Sequence, residues 1–254
     1  MKRFISSVLA CGLLVAGSAW AASDEIQVYV DDMNEVGKYG VELHLNYVPQ
    51  GSKAMDYAGA IPSNHRFQAT TEFSYAFSKS WEGGLYVPTA IANDGSAYAN
   101  GLRLRMKYVQ EQTEGSRVFW GFNTEFGYTA RRVTNSMWGM ELRPILGLRS
   151  EGWMLAINPI IDVPLSKGGL REAAFEPSIK VMREVAHGVD IGIEHYSSFG
   201  PIRHLEGWSR QEHSIYAVTD IQAHGLDINF GVGHGYHNAE DDWVVKAIIS
   251  LPFN

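Results

Sequence analysis

The sequence predicts an all-β protein: a transmembrane antiparallel up-and-down β-barrel of about 12 strands, behind an N-terminal signal peptide. Twelve stretches alternate apolar and polar residues, and the gaps between them are by turns long and short. Successive side chains of a strand point to opposite faces, so each stretch has one apolar face and one polar or mixed face. A soluble sheet produces this pattern in single strands. A dozen repeats behind an export signal are typical of a membrane barrel.

The first 21 residues have the form of a secretory signal peptide. Lys2 and Arg3 begin it, a short apolar run follows, and Ala19-Trp20-Ala21 fits the small-x-small rule for cleavage. The apolar run is too short to span a membrane as a helix. Cys11, the only cysteine, lies in this segment. The expected mature chain, residues 22–254, is therefore one barrel domain without disulfides or a thiol nucleophile.

Composition agrees with a barrel and argues against a nucleic-acid partner. Charged residues make up 19% of the chain and aromatic residues 12%, and the mean hydropathy is −0.15. Such an average resembles that of a soluble protein, because only every second residue of a barrel strand faces lipid. The formal charge is −7, and it becomes −9 once Lys2 and Arg3 are removed with the signal. A chain of this charge repels phosphate backbones.

The first half of the chain supplies six strands after a short lead at 26–30. Aromatic and aliphatic residues occupy every second position, and charged or small polar residues stand between them. The clearest case has Arg103, Arg105 and Lys107 between apolar neighbours. The six strands are predicted near 41–47, 66–77, 83–89, 102–108, 118–128 and 138–143.

The second half supplies six more strands, of which the last is the best example. Its apolar face runs from Trp243 to Phe253, and Lys246 and Ser250 lie on the other face. The tail resembles the final strand of outer-membrane barrels, which usually ends in an aromatic residue, so the barrel assembly machinery is an expected partner. The six strands are predicted near 153–163, 175–181, 189–194, 213–221, 226–233 and 243–253.

The gap lengths predict which end of the barrel faces which side. Outer-membrane barrels have an even number of strands, short periplasmic turns and longer external loops. Both termini are therefore expected in the periplasm of a Gram-negative bacterium, with outer-membrane lipid and lipopolysaccharide around the barrel. Trp81, Trp153 and Trp243 begin strands, as an interfacial aromatic girdle requires. Long gaps lie near 49–64, 92–100, 165–172, 197–212 and 234–242, and tight turns near 78–80, 149–152, 186–188 and 222–225. The gap near 111–116 is slightly longer than these turns, and the gap near 130–136 is intermediate.

Several segments resemble an uncharacterised family of proteobacterial outer-membrane proteins. The resemblance implies a barrel and carries no activity with it. A looser likeness, to the putative phenol-degradation (meta-pathway) outer-membrane family, implies transport of small aromatic molecules. The segments are Glu25-Ile26-Gln27-Val28-Tyr29, Glu42-Leu43-His44-Leu45-Asn46-Tyr47, Glu141-Leu142-Arg143-Pro144-Ile145-Leu146-Gly147, Asn158-Pro159-Ile160 and Phe199-Gly200-Pro201.

The inward-facing positions predict a polar interior with mixed charge. A barrel of this strand number is wide enough for a ligand cavity or a narrow channel unless it is plugged. The alternative is that these charges pair with one another and fill the interior. The basic row Arg103, Arg105 and Lys107 is the candidate track for an anionic solute. Further candidates for the lining are Glu42, Glu72, Glu125, Arg143 and Asp162.

One short motif points to an enzyme instead. His195-Tyr196-Ser197-Ser198 resembles the His-Tyr-Ser-Asn stretch of outer-membrane lipid A 3-O-deacylases, in which a His and a Ser share a strand face. Alternation places His195 and Ser197 on the lipid face near the outer leaflet, where Glu206 or Glu212 could orient the imidazole. A histidine of the girdle followed by a serine of a turn is the simpler interpretation.

Metal and cofactor sites have weaker support in the sequence. His234 and His237 precede an acidic run, but their spacing fits no closed zinc site. Glycine-rich phosphate loops and dinucleotide motifs are absent. The sequence thus predicts a passive, porin-like channel for an unidentified small solute, with no metal or cofactor. A lipid hydrolase and a structural barrel without transport remain as alternatives.

Overall fold

The computed structural model describes residues 25–253 and shows a closed antiparallel barrel with almost no helix. The predicted signal peptide lies outside the described residues. Fifteen strand segments build the wall: β1 (Tyr39–Gln50), β2 (Phe67–Ala76), β3 (Trp81–Ile91), β4 (Ala97–Ala99), β5 (Gly101–Val109), β6 (Val118–Thr129), β7 (Trp138–Ser150), β8 (Trp153–Asn158), β9 (Ile161–Val163), β10 (Ala174–Phe175), β11 (Ser178–Ala186), β12 (Val189–Ser198), β13 (Glu212–Ala223), β14 (Leu226–His237) and β15 (Trp243–Phe253).

These segments form twelve barrel strands, because three strands consist of two segments each. The pairs β4/β5, β8/β9 and β10/β11 bond to the same neighbouring strands on either side of a short interruption. Pro159 and Pro177 stand in two of the interruptions, and proline has no amide hydrogen to donate to a neighbouring strand. The predicted number of strands is confirmed.

The barrel closes between its first and last strands. β1 pairs antiparallel with β15, with Val41 opposite Leu251 and Leu45 opposite Ala247. Closure leaves no open sheet edge, so every strand has hydrogen-bonding neighbours on both sides, as the hydrocarbon core of a bilayer demands. Within residues 25–253 no helix is both long enough and apolar enough to cross a membrane.

The two faces of the wall have the predicted character. On β5, Leu104 is 61% exposed on the outside, whereas Arg105 and Lys107 are 7% exposed on the inside. Aromatic side chains gather outside at both ends of the barrel. Trp81 contacts Tyr108 in a tilted arrangement at one end, and Trp243 stacks on His234 at the other, with ring centroids 4.9 and 4.7 Å apart. Exposed aromatic residues at both ends are the arrangement that the predicted interfacial girdle requires.

Loop lengths distinguish the two ends of the barrel. One end, here called the turn end, carries the connections 77–80, 110–117, 151–152, 187–188 and 224–225. The other, here called the loop end, carries 51–66, the segment around 92–100, 130–137, 164–173, 199–211 and 238–242. The intermediate gap near 130–136 lies at the loop end. The alternation in length has one departure: the turn-end connection 110–117 is as long as 130–137 and longer than 238–242.

Candidate functional site

The interior of the barrel holds its own N-terminal chain. Residues 25–34, here called the lumen segment, run from the turn end into the middle of the barrel. Asn34 lies at the turn end, where its side chain donates to Glu82 at 2.7 Å and to Ser74 at 2.8 Å. Glu25, at the other end of the segment, lines a cavity that opens at the loop end. The segment therefore occupies the path that a solute would take.

Side chains from four parts of the wall bind the main chain of the lumen segment. Lys246 Nζ donates to Ile26 O at 2.9 Å, and Arg143 Nη1 donates to Gln27 O at 3.0 Å. Asn158 accepts from the Tyr29 amide at 2.6 Å and donates to the Tyr29 carbonyl at 3.0 Å. Lys107 Nζ donates to Asp32 O at 2.6 Å. These bonds satisfy backbone groups that water would otherwise satisfy.

Apolar contacts hold the same segment. Ile26 packs in a buried cluster with Val48, Met182, Tyr216, Val218 and Val244. Val28, Tyr29 and Val30 pack in a second cluster with Phe119, Ile145 and Ala156. The inward apolar residues of the wall thus find their partners on the lumen segment. Their burial favours the inserted position by the hydrophobic effect.

The predicted basic row is engaged in ion pairs. Arg105 forms ion pairs with Glu72 and, at 2.6 Å, with Glu82. Arg103 lies 3.7 Å from Glu25 and 3.7 Å from Glu125. All three side chains point inward, but Lys107 binds the main chain of the lumen segment and Arg105 pairs with carboxylates of the wall. The arrangement matches the alternative in which the charges pair within the interior.

The other predicted lining residues also face inward, where they lie beside polar or charged side chains of the wall. Arg143 binds Glu141 through two hydrogen bonds, of 2.6 and 2.9 Å. Asp162 lies opposite Glu141 in the register of β9 and β7. Glu42 accepts from Ser250 at 2.9 Å and lies 3.6 Å from His44, which is also 3.6 Å from Glu72.

A cavity of about 190 Å³ lies above the lumen segment at the loop end. Its lining is strongly acidic, and Arg143 is the only arginine or lysine among the described residues that line it. A confined space lined by acidic groups raises the local concentration of cations, so the cavity attracts cations and repels anions. The acidic side chains are those of Glu25, Glu141, Glu176, Glu212, Glu240 and Asp241.

The loop end also carries an aromatic and histidine cluster at outward-facing positions of β12 and β13, and two of its members, Ser197 and His213, also border the cavity. Ser197 Oγ lies 3.3 Å from His195 Nδ1 and 3.1 Å from His213 Nδ1. His195 Nε2 lies 2.8 Å from the Tyr236 hydroxyl. Trp208 covers the cluster, with its ring centroid 4.7 Å from that of His213.

This geometry brings His195 and Ser197 together but assigns the orienting position differently from the sequence. Glu206 forms an ion pair with Arg210, and Tyr236 holds the far nitrogen of His195. The sequence does not point to His213, because it is sixteen residues from Ser197 and only the register of β12 with β13 places the two opposite each other.

The likeness to known proteins is one of structure. No protein-family model matches the chain, and no curated protein is similar to it in sequence. An outer membrane channel from Pseudomonas putida F1 superposes with a TM-score of 0.62 and 10% identity, over 90% of this chain and 100% of the channel. The KdgM porin superposes with a TM-score of 0.55 and 10% identity, over 85% of this chain and 99% of the porin. The NanC porin superposes with a TM-score of 0.53 and 8% identity, over 84% of this chain and 99% of the porin.

At these identities the likeness establishes the fold. The chain is a twelve-stranded barrel of the outer-membrane type, as the sequence predicts. The finer resemblances, to the uncharacterised family and to the phenol-degradation family, stay predictions.

Proposed function

We propose that this protein is an outer-membrane channel for small cationic or neutral solutes, and that the lumen segment controls its conductance. The observation that carries the proposal is the acidic cavity above the segment. A solute arriving at the loop end meets six acidic side chains and one guanidinium, and lining charges of one sign set the selectivity of a narrow pore. The proposed location is the outer membrane, with the loop end facing outward.

The proposed solute class differs from the ligand of one structural neighbour. The KdgM porin has been solved in complex with disordered oligogalacturonate, an acidic sugar chain. The basic side chains that could attract such an anion are here paired with Glu25, Glu72, Glu82 and Glu125. The proposal therefore excludes polyanions as preferred solutes.

Planar-bilayer recording tests both parts of the proposal. The full mature chain is compared with a variant in which residues 25–30 are replaced by a Gly-Ser segment of equal length, which removes Ile26, Val28 and Tyr29 but keeps the chain connected. We expect a several-fold larger conductance in the variant and a preference for cations in both proteins. Anion preference in both proteins would contradict the solute class, and equal conductance would contradict control by the lumen segment.

A matched pair of variants tests the cavity itself. Glu212→Gln combined with Asp241→Asn should weaken cation preference, because it removes two carboxyl groups from the cavity lining. Glu111→Gln, at an exposed turn where the carboxylate lies 4.0 Å from Lys79, should leave selectivity unchanged. Similar shifts for the two variants would mean that the cavity does not set selectivity.

A second candidate function, hydrolysis of outer-leaflet lipid, is favoured by one observation. Ser197 lies within hydrogen-bonding distance of two imidazoles on the outer face, and a neighbouring imidazole base is what activates a serine nucleophile. Mass spectrometry of lipid A from overproducing Gram-negative cells tests it. Loss of an acyl chain with the native protein, absent with Ser197→Ala and retained with the loop control Ser209→Ala, would support the hydrolase. Unchanged lipid A with the native protein would rule it out.

A further inference from the structure

We propose that Glu42, His44 and Glu72 form a binding site for a divalent first-row transition ion, with Zn²⁺ as the simplest occupant. The site lies on the inner wall of β1 and β2. Glu42 and His44 are two residues apart on β1, so both side chains point into the barrel. Glu72 is the register partner of Glu42 on β2, which places the second carboxylate directly beside the first.

The distances are those of a ligand set. His44 Nε2 lies 3.6 Å from Glu42 Oε2 and 3.6 Å from Glu72 Oε2, and one donor atom from each residue lies within 4.8 Å of the others. A tetrahedral zinc ion with bonds of about 2.0–2.2 Å separates its ligand atoms by roughly 3.3–3.6 Å. Three protein ligands then leave one position for water or another small ligand.

His44 supplies an independent indication of a missing ligand. His44 is 1% exposed, yet neither of its ring nitrogens has a hydrogen-bond partner. A buried polar atom without a partner costs free energy, so native structures nearly always supply one. An ion on Nε2 would satisfy the nitrogen that points between the two carboxylates.

The remaining oxygens of both carboxylates are already engaged by the wall. Glu42 Oε1 accepts a hydrogen bond from Ser250 Oγ at 2.9 Å, and Glu72 Oε1 forms an ion pair with Arg105. Each carboxylate therefore turns its Oε2 toward His44. Outer contacts of this kind orient the ligands of metal sites.

The local charge also fits a divalent cation. Three carboxylates, those of Glu42, Glu72 and Glu82, surround one guanidinium, that of Arg105, which is shared between Glu72 and Glu82. With His44 neutral, these four side chains carry a charge of −2, and Lys107, the register partner of Glu82, brings the total to −1, so the surroundings attract a divalent ion. An imidazole ligand favours zinc and its neighbours over Ca²⁺ and Mg²⁺, which prefer oxygen ligands alone.

The site lies beside an anchor of the lumen segment. The ring of Tyr86 meets His44 edge-on with centroids 6.1 Å apart, and its hydroxyl lies 2.5 Å from that of Tyr29. An ion held by β1 and β2 would thus fix the wall against which the lumen segment rests. The site does not depend on the solute that the channel carries.

Metal analysis of the purified mature chain, without a histidine tag, tests the proposal. The protein is stripped with EDTA and dialysed against micromolar zinc. We expect one zinc per chain, and X-ray absorption should show one imidazole nitrogen with oxygen ligands. Co²⁺ in its place should give the visible d–d bands of a site with low coordination number. His44→Gln and Glu72→Gln should each weaken binding by at least about 100-fold, since even outer-shell changes cost 10–100-fold.

The matched control is His213→Gln, which alters the histidine cluster on the outer face and should leave zinc binding unchanged. A zinc shell with two or more imidazoles would overturn the proposal, because it would place the ion on that cluster. A stripped native protein that takes up no zinc would overturn it as well, leaving His44 to satisfy the carboxylates with a proton. The absorption spectrum of the native chain decides between these outcomes even if a variant fails to fold.

Discussion

At the scale of single residues, the interior is governed by buried charges in pairs. Lys246 is 1% exposed, forms an ion pair with Glu194 at 2.5 Å and donates to the Ile26 carbonyl. Its ammonium group also lies 5.9 and 5.8 Å from the ring centroids of Tyr196 and Tyr216. Removing one member of a buried pair leaves the other charge without compensation, so such residues tolerate little change.

Glu240, in the loop 238–242, gives the acidic cavity a dependence on pH. Burial, and then the neighbouring carboxylates of Asp241 and Asp56, raise the pKa of Glu240 to about 8 from its ordinary value of 4.5. The folded protein therefore favours the protonated carboxyl. The stabilisation from this group is fully present below pH 4.5 and is lost as the pH rises toward about 8.

The same titration predicts a change in selectivity. Between about pH 7 and pH 9 the cavity gains the charge of Glu240, so cation preference should rise. Reversal potentials measured in planar bilayers at the two pH values test this. In Glu240→Gln the rise should be much smaller, whereas Glu111→Gln should behave like the native protein. An equal rise in native protein and Glu240→Gln would assign the titration to other groups.

At the scale of elements, the two faces of β5 should respond differently to substitution. Leu104 lies outside, level with Leu85 and Phe126 on its neighbours. Leu104→Arg should destabilise the barrel by about 2–4 kcal/mol if it lies near the bilayer midplane, and Leu104→Phe should cost little. The free energy of unfolding by urea in lipid vesicles measures both. Equal costs for the two variants would mean that position 104 does not face lipid.

The neighbouring residue shows what the sequence alone could not establish. Strand alternation alone predicts that Arg105→Leu leaves folding largely intact, because the substitution only removes a charge from the lumen. The structure places Arg105 between Glu72 and Glu82, so the substitution leaves two buried carboxylates without a cation. The expected cost is about 3–5 kcal/mol. The partners of a lumen side chain depend on the register between strands, which a single sequence does not contain.

The strands themselves were largely predictable, since alternation reads directly as inside and outside. β3 is longer than the predicted 83–89, because Gly83, Gly84 and Pro88 interrupt the apolar pattern while the backbone continues from Trp81 to Ile91. The sequence shows the lumen segment only as a short lead before the first strand. A signal for it was present: Phe119, Ile145, Met182, Val218 and Val244 point inward yet are apolar, so the interior had to contain something apolar.

At the scale of the whole molecule, the barrel and its contents come from the same chain. The wall resembles channels and porins in strand number and closure, whereas the lumen segment fills the centre with side chains and backbone. A pore of this design conducts around the segment or after its displacement. The lumen segment enters the barrel at the turn end, because Asn34 contacts Ser74 and Glu82 there and residues 35–38 join it to the start of β1.

The orientation that follows is the last prediction. If the loop end faces outside, epitope tags inserted at Ser52, in the loop 51–66, and at Ser209, in the loop 199–211, should bind antibody on intact cells. A tag at Ser150, next to the tight turn between β7 and β8, should bind only after permeabilisation. Long loops outside and short turns in the periplasm are the rule for outer-membrane barrels. Labelling at Ser150 on intact cells, without labelling at Ser52, would show that the barrel has the opposite orientation in the membrane. The lumen segment would then enter from the cell surface, and the acidic cavity would face the periplasm.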